Sequence, residues 1–306
     1  MKKIICIIIA IMLLLTACGK PSEPARKVRV GALTGPTAMG LLKLMESGEY
    51  EFTLKSEATA FSSALAKGEI DIAAMPANLA AVIYNNTDGA IKLLAANTLG
   101  VLYIVERGDA VHSLDDLAGR TLYATGEGAV PEFTLRYLTD RLAQPVVIRW
   151  CADTTEVLAY LALDENGAAM LPQPFVTVAQ TKMEDLRVAI DLGELWNESG
   201  TDIVTGVVVV RTEFAENHPE AVEKFMRDYR ESVNFALNDT NEAARLIGKY
   251  EIVPEAVAKK ALPECNICCI EGTRLRSMMD AYLTALFEMY PQSVGGKLPN
   301  GEFYYE

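Results

Sequence analysis

The sequence predicts an α/β protein folded as two lobes. Strand-like and helix-like apolar patterns alternate along most of the chain, which implies mainly parallel sheets covered on both faces. A polar turn at Glu106–Ala110 (ERGDA) separates one such series from a second. The 306 residues, half of them apolar, suffice for two cores.

The first unit is Val28–Met45. Val28, Val30 and Ala32 alternate as in a strand. Thr34-Gly35-Pro36-Thr37 forms a tight loop, and Met39, Leu41, Leu42 and Met45 mark a helix whose early proline removes only an N–H that would be unpaired there. Glu51–Leu54 reads as a short strand. Ala58–Ala66 reads as a helix, stopped by Lys67-Gly68. Ile70–Met75 is a strand ending at Pro76, Ala77–Tyr84 the next helix, and Ile91–Ala96 and Val101–Val105 are apolar runs of strand length.

Beyond the polar turn, Ser113-Leu-Asp-Asp116 carries a capping pattern. A strand at Arg120–Tyr123, a loop at Ala124–Gly128 and a helix at Val130–Leu142 follow. Then come a strand at 146–150, a helix capped by Asp153 and Glu156, a strand at 168–171, the loop Pro172-Gln173-Pro174, a short helix at 175–181 and a strand at 188–191. Trp196–Asp202 reads as a polar loop, and Ile203–Val210 (IVTGVVVV) as a strand buried on both faces. The rest is helical. Val222, Phe225, Met226, Tyr229, Val233 and Ala236 form one apolar stripe, and Leu275, Met278, Met279, Tyr282, Leu283, Leu286 and Phe287 another.

The N-terminus joins Lys2-Lys3 to an apolar run, Ile4–Leu15, and small residues before Cys18. This is the layout of a secretory signal, with an apolar run too short to span a bilayer. Leu15-Thr16-Ala17-Cys18 resembles the bacterial lipobox, which implies a signal peptide at 1–17 and a lipid on Cys18. Residues 18–27, polar and twice interrupted by proline, suit a tether. The formal charge of −13 deepens once Lys2 and Lys3 are removed. With no basic patch interleaved with aromatics, nucleic acid is excluded as a partner. Cys151, Cys265, Cys268 and Cys269 remain in the body. Crowding of three within 265–269 argues against two disulfides and for free thiols, with a single disulfide as the alternative, and His112 and His218 are too few to complete a zinc site.

The lipobox, V-x-V-G-x-L-T-G-P-T at 28–37, Ala66-Lys-Gly-Glu-Ile-Asp-Ile-Ala-Ala-Met-Pro-Ala-Asn78, Ser113–Leu122 (SLDDLAGRTL) and Pro172-Gln-Pro-Phe175 occur together and in order. Over essentially the whole mature chain they resemble the solute-binding proteins of ABC importers in the nitrate/sulfonate/taurine group, including their thiamine-pyrimidine-precursor relatives. The resemblance implies the type II periplasmic-binding-protein fold, two α/β lobes joined by a double-crossing hinge. Lobe one is expected at 28–106 and 206–306, lobe two at 107–205, with crossings near Glu106–Ala110 and Ile203–Gly206. It further implies an extracytoplasmic monomer held by the Cys18 lipid, a small-molecule solute, an ABC permease and its ATPase as partners, and no cofactor.

In open α/β sheets ligands sit beyond the C-terminal ends of strands. That rule selects Thr34, Gly35, Pro36, Thr37, Pro76, Ala77, Asn78, Thr98, Thr125, Gly126, Glu127 and Gln173 as ligand-binding candidates. They offer hydroxyls, amides and close-approach backbone, with no strong nucleophile or base, so the expected role is binding without catalysis. The loops carry no Lys or Arg, and Glu127 would bring negative charge, which favours a neutral, zwitterionic or nitrogen-heterocycle ligand over a small inorganic anion. A ligand-sensing receptor and a pyrimidine-precursor-type enzyme on the same fold are the alternatives.

Overall fold

The computed structural model describes residues 26–306 apart from Ala58, Arg141 and Ser199. The expected signal peptide at 1–17, Cys18 and most of the expected tether lie outside the described residues. Among the described residues no helix is long and apolar enough to cross a membrane.

Eleven strands are described: β1 (Arg29–Leu33), β2 (Glu51–Lys55), β3 (Ile72–Pro76), β4 (Ile91–Thr98), β5 (Leu102–Arg107), β6 (Thr121–Ala124), β7 (Val147–Trp150), β8 (Ala168–Pro172), β9 (Leu186–Asp191), β10 (Gly206–Arg211) and β11 (Ile267–Ile270). They form one sheet in the order β11-β4-β10-β3-β1-β2 and another in the order β7-β6-β8-β5-β9. Helices cover both faces of each sheet, so each lobe has two apolar layers.

The sheets are mixed rather than mainly parallel, and the connectivity explains why. β1 runs parallel to β2 and β3, and β6 runs parallel to β7 and β8. The chain leaves the first sheet at the end of β4 and returns through β10 at that same end. β10 must therefore run antiparallel to both β3 and β4, with Gly206 opposite Pro76 and Thr98. β5 likewise enters the second sheet beside the end of β8, with Leu102 opposite Pro172, and so runs antiparallel to it. The C-terminal ends of β3, β4 and β8 thus face one junction.

One boundary differs from expectation. Leu102–Glu106 pair with Ala168–Pro172, so β5 belongs to the second sheet, and the first passage between sheets is Leu99–Val101 rather than Glu106–Ala110. The polar turn at 106–110 is the far end of β5. There the fully buried Glu106 accepts from Ala110 N–H and Val111 N–H (2.9 Å each) and pairs with Arg187. The return passage runs from the end of the helix at Leu192–Asn197 to Gly206.

The long apolar stripes are core. Val222, Phe225, Met226, Tyr229, Val233 and Ala236 of the helix Pro219–Asn238 pack on one face of the first sheet with Leu41, Leu42 and Val210. Leu275, Met279, Tyr282 and Leu286 of the helix Gly272–Met289 cover the other with Met75 and Val209. Each Val, Leu, Phe or Met among these contributes about 1.5–3 kcal/mol through removal from water. Two expectations fail locally. Leu192–Asn197 is a helix, because Asp191 caps it by accepting from Gly193 N–H (2.7 Å) and Glu194 N–H (3.2 Å), and its Trp196 is fully buried. The cysteine cluster contains a strand, β11, which the sequence hides because it is four residues long. The four described cysteines are free. Burial pushes the thiols of Cys265, Cys268 and Cys269 up to about 12, so near neutral pH they hold their protons.

Candidate functional site

The site grows from the end of β1. Gly35 adopts φ 127°, a backbone conformation for which glycine is suited, and Pro36 opens the turn of helix Pro36–Met39. The Thr37 hydroxyl is spent locally, donating to Leu33 O (2.8 Å). Its carbonyl accepts from Asn97 Nδ2 (3.3 Å), which ties this turn to the end of β4. Gly206 completes the arrangement. A Cβ there would lie 2.3 Å from Asn97 Oδ1 and 2.5 Å from Thr37 Cγ2, so only a residue without a side chain lets these groups close together.

Backbone bonds extend this knot across the return passage. Thr205 N–H donates to Thr98 O (3.0 Å), Ala77 N–H to Thr205 O (3.1 Å), and Leu99 N–H to Asn266 O (3.1 Å). Thr37, Pro76, Ala77 and Thr98 are thereby gathered around Asn97, Thr205 and Gly206. Among the described residues, three buried atoms here find no hydrogen-bond partner: Asn97 Oδ1, Thr98 Oγ1 and Thr205 Oγ1. Asn97 and Thr98 are successive residues at the end of β4, where the register against β10 shifts so that Asn97 has no partner residue in that ladder. A buried polar atom left unpaired costs about 1–3 kcal/mol. Thr98→Val removes one such cost with little change of shape. It is expected to raise the melting temperature by a few degrees, read by circular dichroism; a fall would mean that the hydroxyl is already satisfied.

The other candidates are placed differently. Thr34 is exposed, and its N–H donates to Lys55 O (2.8 Å). Asn78 turns its Nδ2 to Ser293 O (3.3 Å), in the C-terminal segment. Gln173 is buried beside the first passage. Its N–H donates to Val101 O (2.9 Å), and its Oε1 accepts from the Thr177 hydroxyl (3.0 Å). Thr125, Gly126 and Glu127 form the turn after β6, and Glu127 is exposed.

The buried carboxylate of this turn is Glu132, in the first turn of the helix Val130–Thr139. It accepts from Gly128 N–H (2.6 Å) and Arg136 Nε (2.6 Å). Burial pushes its carboxyl up, but the Gly128 and Arg136 bonds outweigh that and hold it below the usual carboxylate range. Glu132, Phe133, Arg136, Asp140, Met289 and Tyr290 line a cavity of about 470 Å³ between this helix and the end of Gly272–Met289. Phe133 stacks on Tyr290 (5.8 Å), and Trp196 bridges Tyr137 (4.1 Å) and Tyr282 (5.9 Å), so aromatic rings join the two lobes on this side.

Sequence reasoning places the loop Asn97–Leu99 at the cleft but selects Thr98 from it, and it passes over Gly206 and Glu132 as site residues. Gly206 stands at the edge of the expected crossing, and Glu132 carries the usual signal of an acid in a helix's first turn. Among the described residues no group of three or more His, Cys, Asp or Glu is placed to hold a metal ion.

A family model described as menaquinone biosynthesis matches residues 175–284. No curated protein matches. Among solved structures, an ABC transporter from Parabacteroides distasonis is 23% identical with a TM-score of 0.78, covering 92% of this chain and 99% of that one. The periplasmic aliphatic sulphonate binding protein SsuA from Escherichia coli is 14% identical with a TM-score of 0.72, covering 92% of each chain. The ligand binding component of an ABC-type import system from Staphylococcus aureus, with zinc bound, is 17% identical with a TM-score of 0.69, covering 92% and 97%. At these identities the likeness is one of fold. The chain has the two-lobed α/β fold of ABC-transporter periplasmic binding proteins.

Proposed function

We propose that this chain captures a small organic solute at the junction of its two lobes and delivers it to an ABC permease and its ATPase outside the cytoplasm. The observation that carries the reading is the junction itself. Strand ends from both sheets meet there beside two short passages, and buried amide and hydroxyl atoms are left without partners at that point. Both walls belong to one chain, so a monomer suffices. Cys18 bears the lipid that keeps the protein at the membrane surface, with residues 19–27 as its tether.

Closure is the expected response, since contacts from both lobes favour the closed state. A solute that raises the melting temperature should also shrink the radius of gyration in small-angle scattering. A hundredfold excess over Kd adds about 2.7 kcal/mol of stability. Thermal stabilisation with unchanged scattering would oppose capture between lobes. Cys18→Ser should move the protein from the membrane fraction to the soluble one; unchanged fractionation would remove the lipid anchor from the proposal.

An enzyme on this fold is the second reading, favoured by the menaquinone-biosynthesis match over residues 175–284. The residues gathered at the junction offer hydroxyls, an amide and backbone, and the chain's two histidines, His112 and His218, are exposed elsewhere on the surface. Recovery of a bound solute chemically unchanged after prolonged incubation separates capture from turnover.

A further inference from the structure

We propose that the solute taken at this junction is an uncharged or cationic organic molecule bearing an N–H or O–H donor, and not an acceptor-only anion such as a sulfonate or nitrate. This deepens the solute-capture reading and rests on it. The decisive atom is Asn97 Oδ1. The Thr37 carbonyl can only accept, so the Asn97 NH2 must face it, and the amide oxygen is then turned the other way, beside Gly206. Asn97 is 1% exposed and its Oδ1 has no donor among the described residues. Only a donor can satisfy that oxygen. The unpartnered hydroxyls of Thr98 and Thr205 can donate or accept a hydrogen bond, so they suit either kind of ligand, but Asn97 Oδ1 does not.

Charge points the same way. Leu33–Thr37, Pro76–Asn78, Asn97–Gly100, Thr125–Gly128, Gln173–Phe175 and Thr205–Gly206 contain no Lys or Arg, and Lys55 enters this set through its backbone carbonyl. An anion would therefore meet no fixed cation from these segments. The helix Val130–Thr139, whose N-terminus would otherwise favour an anion, already holds the Glu132 carboxylate, which takes the Gly128 N–H (2.6 Å). A second negative group there would find the Gly128 N–H taken and the Arg136 charge already paired with Glu132. A buried site built to pair a substrate donor discriminates strongly against an analogue lacking it, because its own acceptor is left unpaired.

The test uses matched acids and amides of nearly equal shape: methanesulfonate and methanesulfonamide, benzoate and benzamide, nicotinate and nicotinamide, with nitrate alongside. Melting of the full mature chain is recorded with each at equal concentration, and Kd is measured for every compound that shifts it. The amide members should bind at least tenfold tighter than their acids. Asn97→Leu, checked for folding by circular dichroism, should abolish that preference, and Asn97→Ala serves where leucine does not fold. Acids binding as tightly as or more tightly than amides would overturn the donor requirement while leaving solute capture standing. A wild-type preference that survives both folded variants would overturn the role of Asn97. If neither the pairs nor a fractionated polar cell extract shifts the melting of the wild-type chain, solute capture falls and the inference falls with it.

Discussion

Asp71→Ala should lower folding stability by about 3–5 kcal/mol, the usual cost of removing one partner from a buried ion pair. Asp71 is fully buried at the start of β3, beside the start of β1. Its carboxylate takes Arg29 Nε (3.0 Å), an Arg29 terminal nitrogen (2.8 Å), Arg29 N–H (3.1 Å) and Arg26 (2.9 Å to each oxygen), and Arg211 stands 3.8 Å away. Without the carboxylate, Arg29, about one-fifth exposed, becomes a partly buried cation that has lost its ion-pair partner, whereas Arg211 keeps Glu213 (2.9 Å). The exposed Arg26 loses little. The loss should appear as a lower urea midpoint at unchanged slope. Asp71→Asn, which keeps the shape and some hydrogen bonds, should lose less. A change below 1 kcal/mol for alanine would show that the arginines are solvated without it.

The same group makes stability depend on acid. Burial alone pushes the Asp71 carboxyl up, but the Arg29 hydrogen bonds and the Arg29 and Arg26 charges outweigh this and hold it below the usual range. A carboxyl whose pKa is lower folded than unfolded binds protons more readily in the unfolded chain. Its contribution is therefore complete above the unfolded value of about 4 and is lost as pH falls through the depressed folded value. Denaturation midpoints of the wild-type chain should fall more steeply below pH 4 than those of Asp71→Asn.

Gly206→Val should destroy solute binding and cost about 1–3 kcal/mol by overpacking. A Cβ alone would sit 2.3 Å from Asn97 Oδ1, and valine adds two methyl groups to that clash. Either Asn97 swings away and gives up its bond to Thr37 O, or β10 shifts from its pairing with Thr98 and Pro76. Gly206→Ala should already weaken binding at least tenfold, measured by calorimetry with a solute that stabilises the parent protein. Gly35→Ala is the contrasting variant. Nothing lies within 4 Å of a Cβ at Gly35, so its cost is backbone strain at φ 127°, of order 1–3 kcal/mol, without a clash at Asn97. Wild-type affinity in Gly206→Ala would remove this junction from the binding site.

Much of the fold was legible because periodicity is local. The alternation in Val28–Ala32 and the stripes from Val222 and Leu275 need only neighbouring residues to be read, and the structure contains those elements. The turn at Gly35-Pro36 was legible for the same reason. Trp196 was misread as loop because its helix is a single capped turn and a half, too short for a periodic signal. Glu127 drew attention for its place in a loop, whereas the buried carboxylate is Glu132, a distinction that depends on which way the helix faces.

Local pattern was thus enough for the α/β class, the two series of strands and helices, and most of the loops that end at the junction. Sheet membership was not available to it. Leu102–Val105 is an apolar run that satisfies either sheet, and only pairing with Ala168–Pro172 assigns it. Nor could local pattern show that β10 runs against its neighbours, since that follows from the end of the sheet at which the chain re-enters. Thr37, Asn97 and Gly206 lie far apart in sequence and meet because β1 and β4 end, and β10 begins, along one edge of the first sheet. Close approach of this kind depends on packing between remote segments, and each residue alone reads as an ordinary turn or strand residue. The choice of Asn97 as the demanding group of the site therefore belongs to the tertiary structure.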